Sequence, residues 1–273
     1  MRLFTARVTG NEEIMPKTHI ITLDAGTNAR MATPGRFIHI QCGGATLLRR
    51  PMSVYRAEDD TIELMIRNVG EGSGWITRRR PGDDLDCLGP LGRGFHLDRN
   101  ARNLLMVGGG YGVAPLVGLA EQAVAQGMNV ALAVGAATAR YIFPSRLLPD
   151  AVEYLVATDD GSVGHAGFVT NLVPERLAWA EAVYACGPVP MMHALASIMW
   201  TQAPAKPGQI AMEERMGCAM GVCLGCCIET TKGPLRTCTE GPVFDIKQIV
   251  WRNEPTPVRA ELGEPAGAVN GHR

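Results

Sequence analysis

Four cysteines crowd into the segment EERMGCAMGVCLGCC, residues 213–227. Cys218, Cys223 and Cys226 have the spacing C-x4-C-x2-C, and Cys238 follows on a separate stretch of chain. This is the plant-type spacing with which four thiolates hold a [2Fe–2S] cluster. Glycines between the cysteines let backbone N–H groups approach the inorganic sulfides and let the loop bend tightly. The spacing therefore predicts that Cys218, Cys223, Cys226 and Cys238 ligate a [2Fe–2S] cluster.

Two other chemistries are compatible with this much sulfur. Four cysteines can bind one zinc ion, although structural zinc sites usually show two C-x2-C pairs and only one is present here. A redox-active dithiol is the third reading. Cys227 is surplus to the spacing, and we expect it to be a bystander. The distant cysteines Cys42, Cys87 and Cys186 are expected to be small buried apolar residues.

A second chemical motif is GGGYGVA, which follows an apolar run and precedes a helical pattern. A glycine loop between strand and helix is the usual context of a dinucleotide phosphate site. The motif is not a strict G-x-G-x-x-G, and no acidic residue ends the next strand, ALAVGAATAR. A plain tight turn in an α/β core is the alternative. Arg140, after that strand, could contact a 2′-phosphate, so the choice between NAD and NADP stays open.

Three further stretches could contact cofactors. RRPMSVYR, residues 49–56, offers a guanidinium fork for phosphate and a serine hydroxyl for a flavin ring. GEGSGW, residues 70–75, offers backbone donors and a hydroxyl for a pyrophosphate. YACGP, residues 184–188, ends an apolar strand, where ligands of open α/β sheets bind, so Cys186 could stand beside a nicotinamide ring. The alternatives are a basic strand, a glycine turn and a buried cysteine.

The composition excludes several classes of protein. The chain has 273 residues, 46% of them hydrophobic and 19% charged, which is typical of globular domains. A formal net charge of −1 gives no electrostatic case for binding nucleic acid. The uncharged stretch 104–120 is interrupted by glycines and predicts buried strand, loop and helix rather than a membrane span. The N-terminus does not look like a signal peptide, so we expect a reducing, cytoplasmic location.

The elements that must position these motifs change character near residue 100. Before it, short alternating runs separated by turn residues predict an antiparallel β-barrel or sandwich, with strands near 3–9, 19–23, 37–42, 52–56 and 61–67. After it, apolar strands alternating with helices predict a parallel sheet covered on both faces. The boundaries we expect are 1–100 for the barrel, 101–206 for the α/β domain, 207–254 for a small cysteine-bearing domain and 255–273 for a loose tail.

Taken in this order, the motifs resemble the ferredoxin–NADP reductase superfamily over about residues 1–250. The stretches that carry the resemblance are RRPMSV, GEGSG, GPLGRGF, GGGYGVAPL, ATDDGSVGHAGFVT, ACGPVPMM and EERMGCAMGVCLGC with CTEGPVF. Within the superfamily they are most similar to the electron-transfer subunits of class 1B dihydroorotate dehydrogenases. The short stretch between Cys226 and Cys238, together with Cys227, departs from many relatives and leaves the tip of the cluster loop uncertain.

The resemblance implies three cofactors and assigns residues to them. It implies FAD on the barrel, NAD on the α/β domain and a [2Fe–2S] cluster on the four cysteines. The residues implied for the flavin ring and ribityl chain are Arg50, Pro51, Ser53 and Val54, and those for its pyrophosphate are Gly72, Ser73 and Gly74. The residues implied for NAD are Gly108, Gly109, Gly110, Gly112, Cys186, Gly187 and Pro188.

The resemblance also implies a partner, a catalytic subunit with FMN that oxidises dihydroorotate, in a heterotetramer that serves pyrimidine biosynthesis. Electrons would pass between FMN, cluster, FAD and NAD. The alternative is a reductase subunit of a hydrogenase, sulfite reductase or ferredoxin transhydrogenase complex, because such subunits share these motifs. An alternative of another class is a zinc-stabilised, nucleotide-binding regulatory protein without turnover.

Overall fold

The computed structural model describes residues 2–44 and 46–251. The predicted tail, 255–273, lies outside the described residues. Six antiparallel strands close into a barrel in the order β1-β2-β5-β4-β3-β6. The elements of this part are β1 (Arg2–Met15), β2 (Thr18–Asp24), a 3₁₀ turn (Gly26–Met31), β3 (Phe37–Ile40), β4 (Arg50–Glu58), β5 (Thr61–Arg67), α1 (Glu71–Thr77) and β6 (Asp84–Leu91). The predicted barrel is therefore confirmed, and closure leaves it without an exposed edge.

The GEGSG stretch separates β5 from β6, as expected for a break between strands. Residues 71–77 form the short helix α1 there rather than a plain glycine turn. Ile76 of α1 is fully buried and joins the barrel core with Trp75 packed against it. The two glycines hide the helical signal, since glycine is a poor helix former, and burial of these two side chains outweighs that preference.

The second part is a seven-stranded sheet in the order β10-β9-β8-β7-β11-β12-β15. Its strands run parallel except for β15, which pairs antiparallel with β12. The elements are β7 (Asn103–Gly109), α2 (Ala114–Ala125), β8 (Asn129–Ala136), β9 (Val152–Thr158), β10 (His165–Ala166), α3 (Val173–Leu177), β11 (Ala182–Cys186), α4 (Val189–Gln202) and β12 (Gly208–Ala211). Short 3₁₀ turns lie at Gly110–Val113, Ala139–Tyr141, Ser145–Leu147 and Val169–Leu172. The predicted doubly covered α/β sheet is confirmed.

The cysteine-bearing segment is joined to that sheet. It contains the small hairpin β13 (Cys227–Ile228) and β14 (Leu235–Arg236), then β15 (Val243–Asp245) and a 3₁₀ turn (Ile246–Gln248). Because β15 pairs with β12, the sheet continues into the segment that was expected to start a separate domain at residue 207. The predicted boundary at 207 stays a prediction, and the structure shows only that the two parts share a sheet.

The uncharged stretch 104–120 forms β7, a 3₁₀ turn and most of α2, as predicted. Leu104, Leu105 and Leu116 have no exposed surface. None of the helices in residues 2–44 and 46–251 is long and apolar enough to cross a membrane. The three cysteines outside the cluster motif are buried as expected, with exposed fractions of 2% for Cys42, 0% for Cys87 and 1% for Cys186.

His39 on β3 is an unusual feature of the barrel. It has no exposed surface, and neither ring nitrogen has a hydrogen-bond partner in the described part of the chain. Burial lowers the pKa of His39 to about 4. The Arg49 backbone opposes this shift in pKa, and the positive charges of Arg49 and Arg50 add to it. The folded protein therefore holds a neutral, unpartnered imidazole where the unfolded chain has an ordinary one.

We expect this imidazole to make the protein acid-sensitive. Between the unfolded pKa of about 6.5 and the folded pKa of about 4, the unfolded chain binds a proton that the folded chain does not. The free energy of unfolding should fall by about 3 kcal/mol as the pH drops through this window. Urea titrations at several pH values between 5 and 7 give the free energy of unfolding, and its dependence on pH should be weaker in His39→Leu. The exposed His96, changed to Asn, is the control, and equal slopes in all three proteins would contradict the expectation.

Candidate cofactor sites at the domain junction

The four predicted cluster ligands lie together in two pairs. The Cys218 thiol neighbours Cys223, and the Cys238 thiol neighbours Cys226. Cys226 and Cys238 are each only 2% exposed and share a small core with Phe37 and other barrel residues. Cys218 is partly exposed and Cys223 is exposed. One pair therefore faces the barrel, and the other faces the surface.

The loop stabilises a thiolate at Cys218. The backbone N–H groups of Met220, Val222 and Cys223 each donate to its sulfur at 3.4 Å. These donors, with Met220 first, lower the pKa of Cys218 to about 6. Converging N–H groups are also what a cluster needs around its sulfur atoms, because such hydrogen bonds help set its potential.

The second pair lies in a drier environment. Burial raises the pKa of Cys238 to about 11, and the neighbouring Cys226 adds to the effect. A metal overcomes this preference for the neutral thiol, since coordination deprotonates cysteine outright. Iron binding at Cys238 should therefore release a proton.

The arrangement of the thiols favours a two-iron cluster over one zinc ion. Zinc needs four donors around a single point, whereas each iron of a [2Fe–2S] cluster takes two thiolates. Within residues 2–44 and 46–251, no group of three or more His, Cys, Asp or Glu side chains converges to hold one metal ion. Glycines leave room beside Cys223, because a Cβ on Gly217 or Gly225 would lie 3.4 or 3.6 Å from its sulfur. The arrangement fits a cluster with sulfide between the pairs.

Cys227 stands apart from both pairs. It is exposed and begins β13, where it lies opposite Arg236 of β14. Its neighbour Cys226 points into the small core instead. The alternation of sides along this strand separates adjacent cysteines, which supports the prediction that Cys227 is a bystander.

The predicted flavin-binding residues lie on β4 and around α1. The Ser53 hydroxyl has no hydrogen-bond partner in the described chain, so it is available to a ligand. Arg50 uses Nη1 to donate to the Leu48 carbonyl at 2.7 Å, and its side chain lies over Gly72, where a Cβ would be 2.7 Å from its Nε. The glycine at 72 is therefore required by the arginine. Pro51 and Val54 lie on the same strand, and Gly74 lies in α1.

The hydroxyl of Ser73 is used inside its own turn. It accepts from the Val69 N–H at 2.9 Å and donates to the Gly70 carbonyl at 3.2 Å. The backbone N–H groups of the first turn of α1 have no acceptor within the helix. Any phosphate here would therefore be bound by the backbone rather than by the Ser73 side chain.

The predicted dinucleotide residues meet at the carboxyl ends of β7 and β11. Gly109 touches the next loop closely, because a Cβ there would lie 2.6 Å from Pro188 Cδ. A Cβ on Gly112 would lie 2.6 Å from the Cys186 carbonyl oxygen, and one on Gly187 would lie 2.9 Å from the Gly109 nitrogen. These glycines are therefore required for packing between two loops.

Gly110 differs from the other glycines of this loop. It has a φ of +54°, and a Cβ there would have nothing within 4 Å. Gly108 packs against Val113, because a Cβ on Gly108 would lie 3.2 Å from the Val113 Cα. Of the predicted phosphate-binding glycines, Gly110 is thus the one that borders open space.

Sequence reasoning missed Glu213 at this junction. Its side chain is accessible to solvent, and desolvation by the surrounding protein raises its pKa. Its charge is the largest cause of the raised pKa of Tyr111, and it adds to burial in raising the pKa of the Cys186 thiol. A signal existed, because Glu213 follows β12 at the edge where ligands of such sheets bind.

Sequence reasoning named Arg140 but missed Arg67, which contacts the same aromatic ring from the barrel. The guanidinium carbons of Arg67, from the barrel, and Arg140, from the α/β domain, lie 4.8 and 4.7 Å from the ring centroid of Tyr141. Arg67 also lowers the pKa of Tyr111 against the stronger effect of Glu213.

Adjacent cysteines provide a matched test of the ligand assignment. Cys227→Ala should keep the iron and acid-labile sulfide of the wild type, because Cys227 lies outside both thiol pairs. Cys226→Ala should lose most of both, because it removes one of four ligands. Iron and sulfide are counted in anaerobically purified protein. Equal losses in the two variants would contradict the assignment.

The glycine loop gives a second matched pair. Asn tolerates the left-handed backbone, so Gly110→Asn should unfold near the wild-type temperature but weaken NADH binding by filling the open space. Gly112→Ala should instead lower the free energy of unfolding by about 1–3 kcal/mol, because it clashes with the Cys186 backbone. Thermal unfolding and NADH titration separate the two effects. Normal NADH affinity in a folded Gly110→Asn protein would argue against a phosphate at this glycine.

Comparisons with known proteins agree with this geometry. Residues 213–250 match the family described as the iron–sulfur cluster binding domain of dihydroorotate dehydrogenase B. The fold resembles a solved NADH-dependent reduced ferredoxin–NADP oxidoreductase, with a TM-score of 0.81, 24% identity and 90% of each chain covered. It also resembles a ferredoxin–NADP⁺ reductase from Neisseria gonorrhoeae, with a TM-score of 0.64, 18% identity and 74% and 92% of the two chains covered. At these identities the structures establish the fold.

Relatives of closer sequence carry one common name, dihydroorotate dehydrogenase B (NAD(+)), electron transfer subunit. One from Desulforamulus reducens is 36% identical over 261 residues, which cover 92% of this chain and 99% of the relative. Another from a Geobacillus species is 37% identical over 247 residues, which cover 87% and 92%. The chain therefore belongs to the family of dihydroorotate dehydrogenase B electron transfer subunits.

Proposed function

We propose that this chain is an oxidoreductase subunit that passes electrons between an FMN-containing dihydroorotate dehydrogenase subunit and NAD in pyrimidine biosynthesis. The observation that carries the proposal is the position of β4. Its Ser53 lies opposite Phe37 of β3, and Phe37 packs with Cys226 and Cys238. Its Tyr55 carbonyl oxygen lies 2.4 Å from where a Cβ of Gly118 in α2 would be. The flavin strand thus lies between the thiol cluster and the nucleotide domain.

The chain's residues hold the cofactors and keep them adjacent. Cys218 and Cys223 would hold one iron, and Cys226 and Cys238 the other. When bound, FAD and the cluster supply the exchange between two-electron nicotinamide chemistry and one-electron transfer. Because Ser53 pairs with Phe37 and Phe37 packs with Cys226 and Cys238, residues of β4 would hold a flavin on the strand next to the one that packs on the cluster ligands.

Residues on β4 would orient the flavin. The unpartnered Ser53 hydroxyl can donate to a ring atom, and Arg50 keeps Nε and Nη2 without partners in the described chain. A guanidinium with free donors binds phosphate oxygens well. The backbone N–H groups at Gly72 and its neighbours would receive the pyrophosphate, with Ser73 holding their turn closed.

Residues of the two glycine loops would place the nicotinamide. Gly110 would leave space for the pyrophosphate, and the Gly187–Pro188 turn packs against Gly109. The buried Cys186 thiol stays neutral because burial raises its pKa, so it contributes shape to the ring site rather than charge. No strong general base is needed, because hydride transfer depends on positioning the two rings.

The cluster loop offers a docking surface to the catalytic subunit. Met220, Val222 and Leu224 are 45%, 77% and 61% exposed, and they flank Cys223. Exposed apolar groups around a redox centre indicate a surface that a partner covers. Contact here would bring the partner's FMN close to the exposed thiol pair. Assembly as a heterotetramer and a cytoplasmic location remain predictions.

The test is the absorption spectrum of the chain purified anaerobically with its partner. Protein-bound flavin, about two irons and about two acid-labile sulfides per chain are expected. NADH should bleach the flavin band and the iron–sulfur absorbance, and dihydroorotate should do so only through the FMN subunit. NADPH serves as the cofactor control.

Three outcomes would contradict parts of the proposal. A colourless chain containing zinc would refute the redox function. Bleaching by NADPH far better than by NADH would change the nucleotide. Co-purification with a nickel–iron or multi-cluster subunit instead of an FMN protein would assign the chain to another reductase complex.

A further inference from the structure

We propose that Arg236 is a positioning residue that joins the two chain segments carrying the cluster ligands, and that Glu240 holds it in place. The inference rests on the proposed [2Fe–2S] cluster. It assigns a role to two residues that lie outside the C-x4-C-x2-C motif and have no part in the motif's chemistry.

One guanidinium contacts both segments. Arg236 Nη1 donates to the Gly221 carbonyl oxygen at 2.9 Å, and its Nε donates to Glu240 Oε2 at 2.8 Å. Nη2 donates to the other carboxylate oxygen, so the ion pair is bidentate. The Arg236 backbone N–H also donates to Glu240 Oε2 at 2.9 Å. A planar fork with five donors is required to make these bonds together.

We call Arg236, Glu240 and the bonds between them the clamp. Its first end contacts the loop of the exposed thiol pair. Gly221 lies between Cys218 and Cys223, with a φ of +80°, and a Cβ there would be 3.2 Å from Arg236 Nη1. The same loop holds Ala219 and Leu224 at φ values of 55° and 57°. The left-handed region is strained for non-glycine residues, so the loop needs outside contacts to keep its shape.

The second end is the turn around Cys238. Arg236 and Glu240 flank this cysteine in the chain, and their side-chain pair closes the turn on one side. The Arg236 carbonyl oxygen closes it again by accepting from the N–H groups of Glu240 at 2.9 Å and Gly241 at 3.2 Å. Cys238 is thereby fixed relative to the loop that carries the exposed pair.

Other contacts also connect the two segments, and Ala219 of the first packs with Cys226 and Cys238. Thr237 N–H donates to the Cys226 carbonyl oxygen at 3.0 Å, and the hairpin β13–β14 contributes two residues per strand. These contacts tie Cys238 to Cys226, within the buried pair. Between Cys238's segment and the Cys218–Cys223 loop, the Arg236–Gly221 bond acts together with a hydrogen bond from the Gly221 backbone to the Cys238 sulfur.

The clamp also places charge beside the cluster. Cys238 and Cys227 are among the thiols whose charge acts on the Arg236 guanidinium. A cluster on four thiolates is anionic and gains a further negative charge on reduction, so a nearby cation favours the reduced state. Glu240 opposes part of this effect. Geometry and charge can be separated, because lysine keeps the charge but cannot make the fork.

The test compares full-length, anaerobically purified Arg236→Lys, Arg236→Gln and Glu240→Gln with the wild type. The measurements are the rate of loss of iron–sulfur absorbance in a chelator, the iron and sulfide content, the cluster midpoint potential and the bound flavin. Arg7→Gln is the control, because it breaks a two-bond ion pair with Asp84 on the far side of the barrel.

We expect all three variants of the clamp to lose the cluster several-fold faster than the wild type and Arg7→Gln. Arg236→Gln should shift the midpoint to a more negative value, whereas Arg236→Lys should leave it near the wild type. Flavin content should stay unchanged, since the barrel binds it independently of these residues.

Wild-type decay rates and potentials in Arg236→Gln would overturn the inference. If that variant does not fold, Arg236→Lys and Glu240→Gln decide, and decay at the wild-type rate in both overturns it. A wild-type chain without iron would refute the proposed function instead, so the two failures are distinguishable.

Discussion

The contact between the barrel and the cysteine-bearing segment is the constraint on which the rest of this structure depends. Arg93, after β6, donates its N–H to the Gly241 carbonyl oxygen at 2.6 Å, and its carbonyl oxygen accepts from the Val243 N–H. The Met212 N–H donates to the Pro242 carbonyl oxygen. The strand that leaves Cys238 is therefore bonded to the barrel on one side and to the nucleotide sheet on the other. Gly92 makes this possible, because a Cβ there would meet Pro242 at 2.5 Å. The three candidate cofactor sites are brought together by one short stretch of backbone.

This contact gives the cluster site two unlike sides. The buried pair, Cys226 and Cys238, packs behind Phe37 toward the strand assigned to the flavin. The exposed pair, Cys218 and Cys223, lies in a loop that presents apolar side chains outward. This asymmetry suits a site that passes electrons on, since one side must face the flavin and the other a partner protein. The same asymmetry explains why the thiols of one chain have pKa values shifted in opposite directions.

Much of this could be predicted from the sequence where the signal is local. The C-x4-C-x2-C spacing is short-range geometry, and the structure brings its cysteines together with Cys238. The change from alternating to continuous apolar strands indicated a barrel followed by a parallel sheet, and both are present. The helix α1 was missed, because its glycines are poor helix formers and the burial of Ile76 that stabilises it depends on the rest of the barrel.

By itself, the sequence determined which atoms could bind cofactors, because ligand type and local spacing depend on neighbouring residues. Only the tertiary structure decided which residues meet across long separations. Arg236 reaches Gly221, Glu213 acts on Tyr111 and Cys186, and His39 becomes buried without a partner. The physical reason is that each of these environments is created by segments packed together from different parts of the chain. A local sequence pattern cannot predict these contacts, since burial, charge and hydrogen bonding at each residue depend on segments that are distant in the chain.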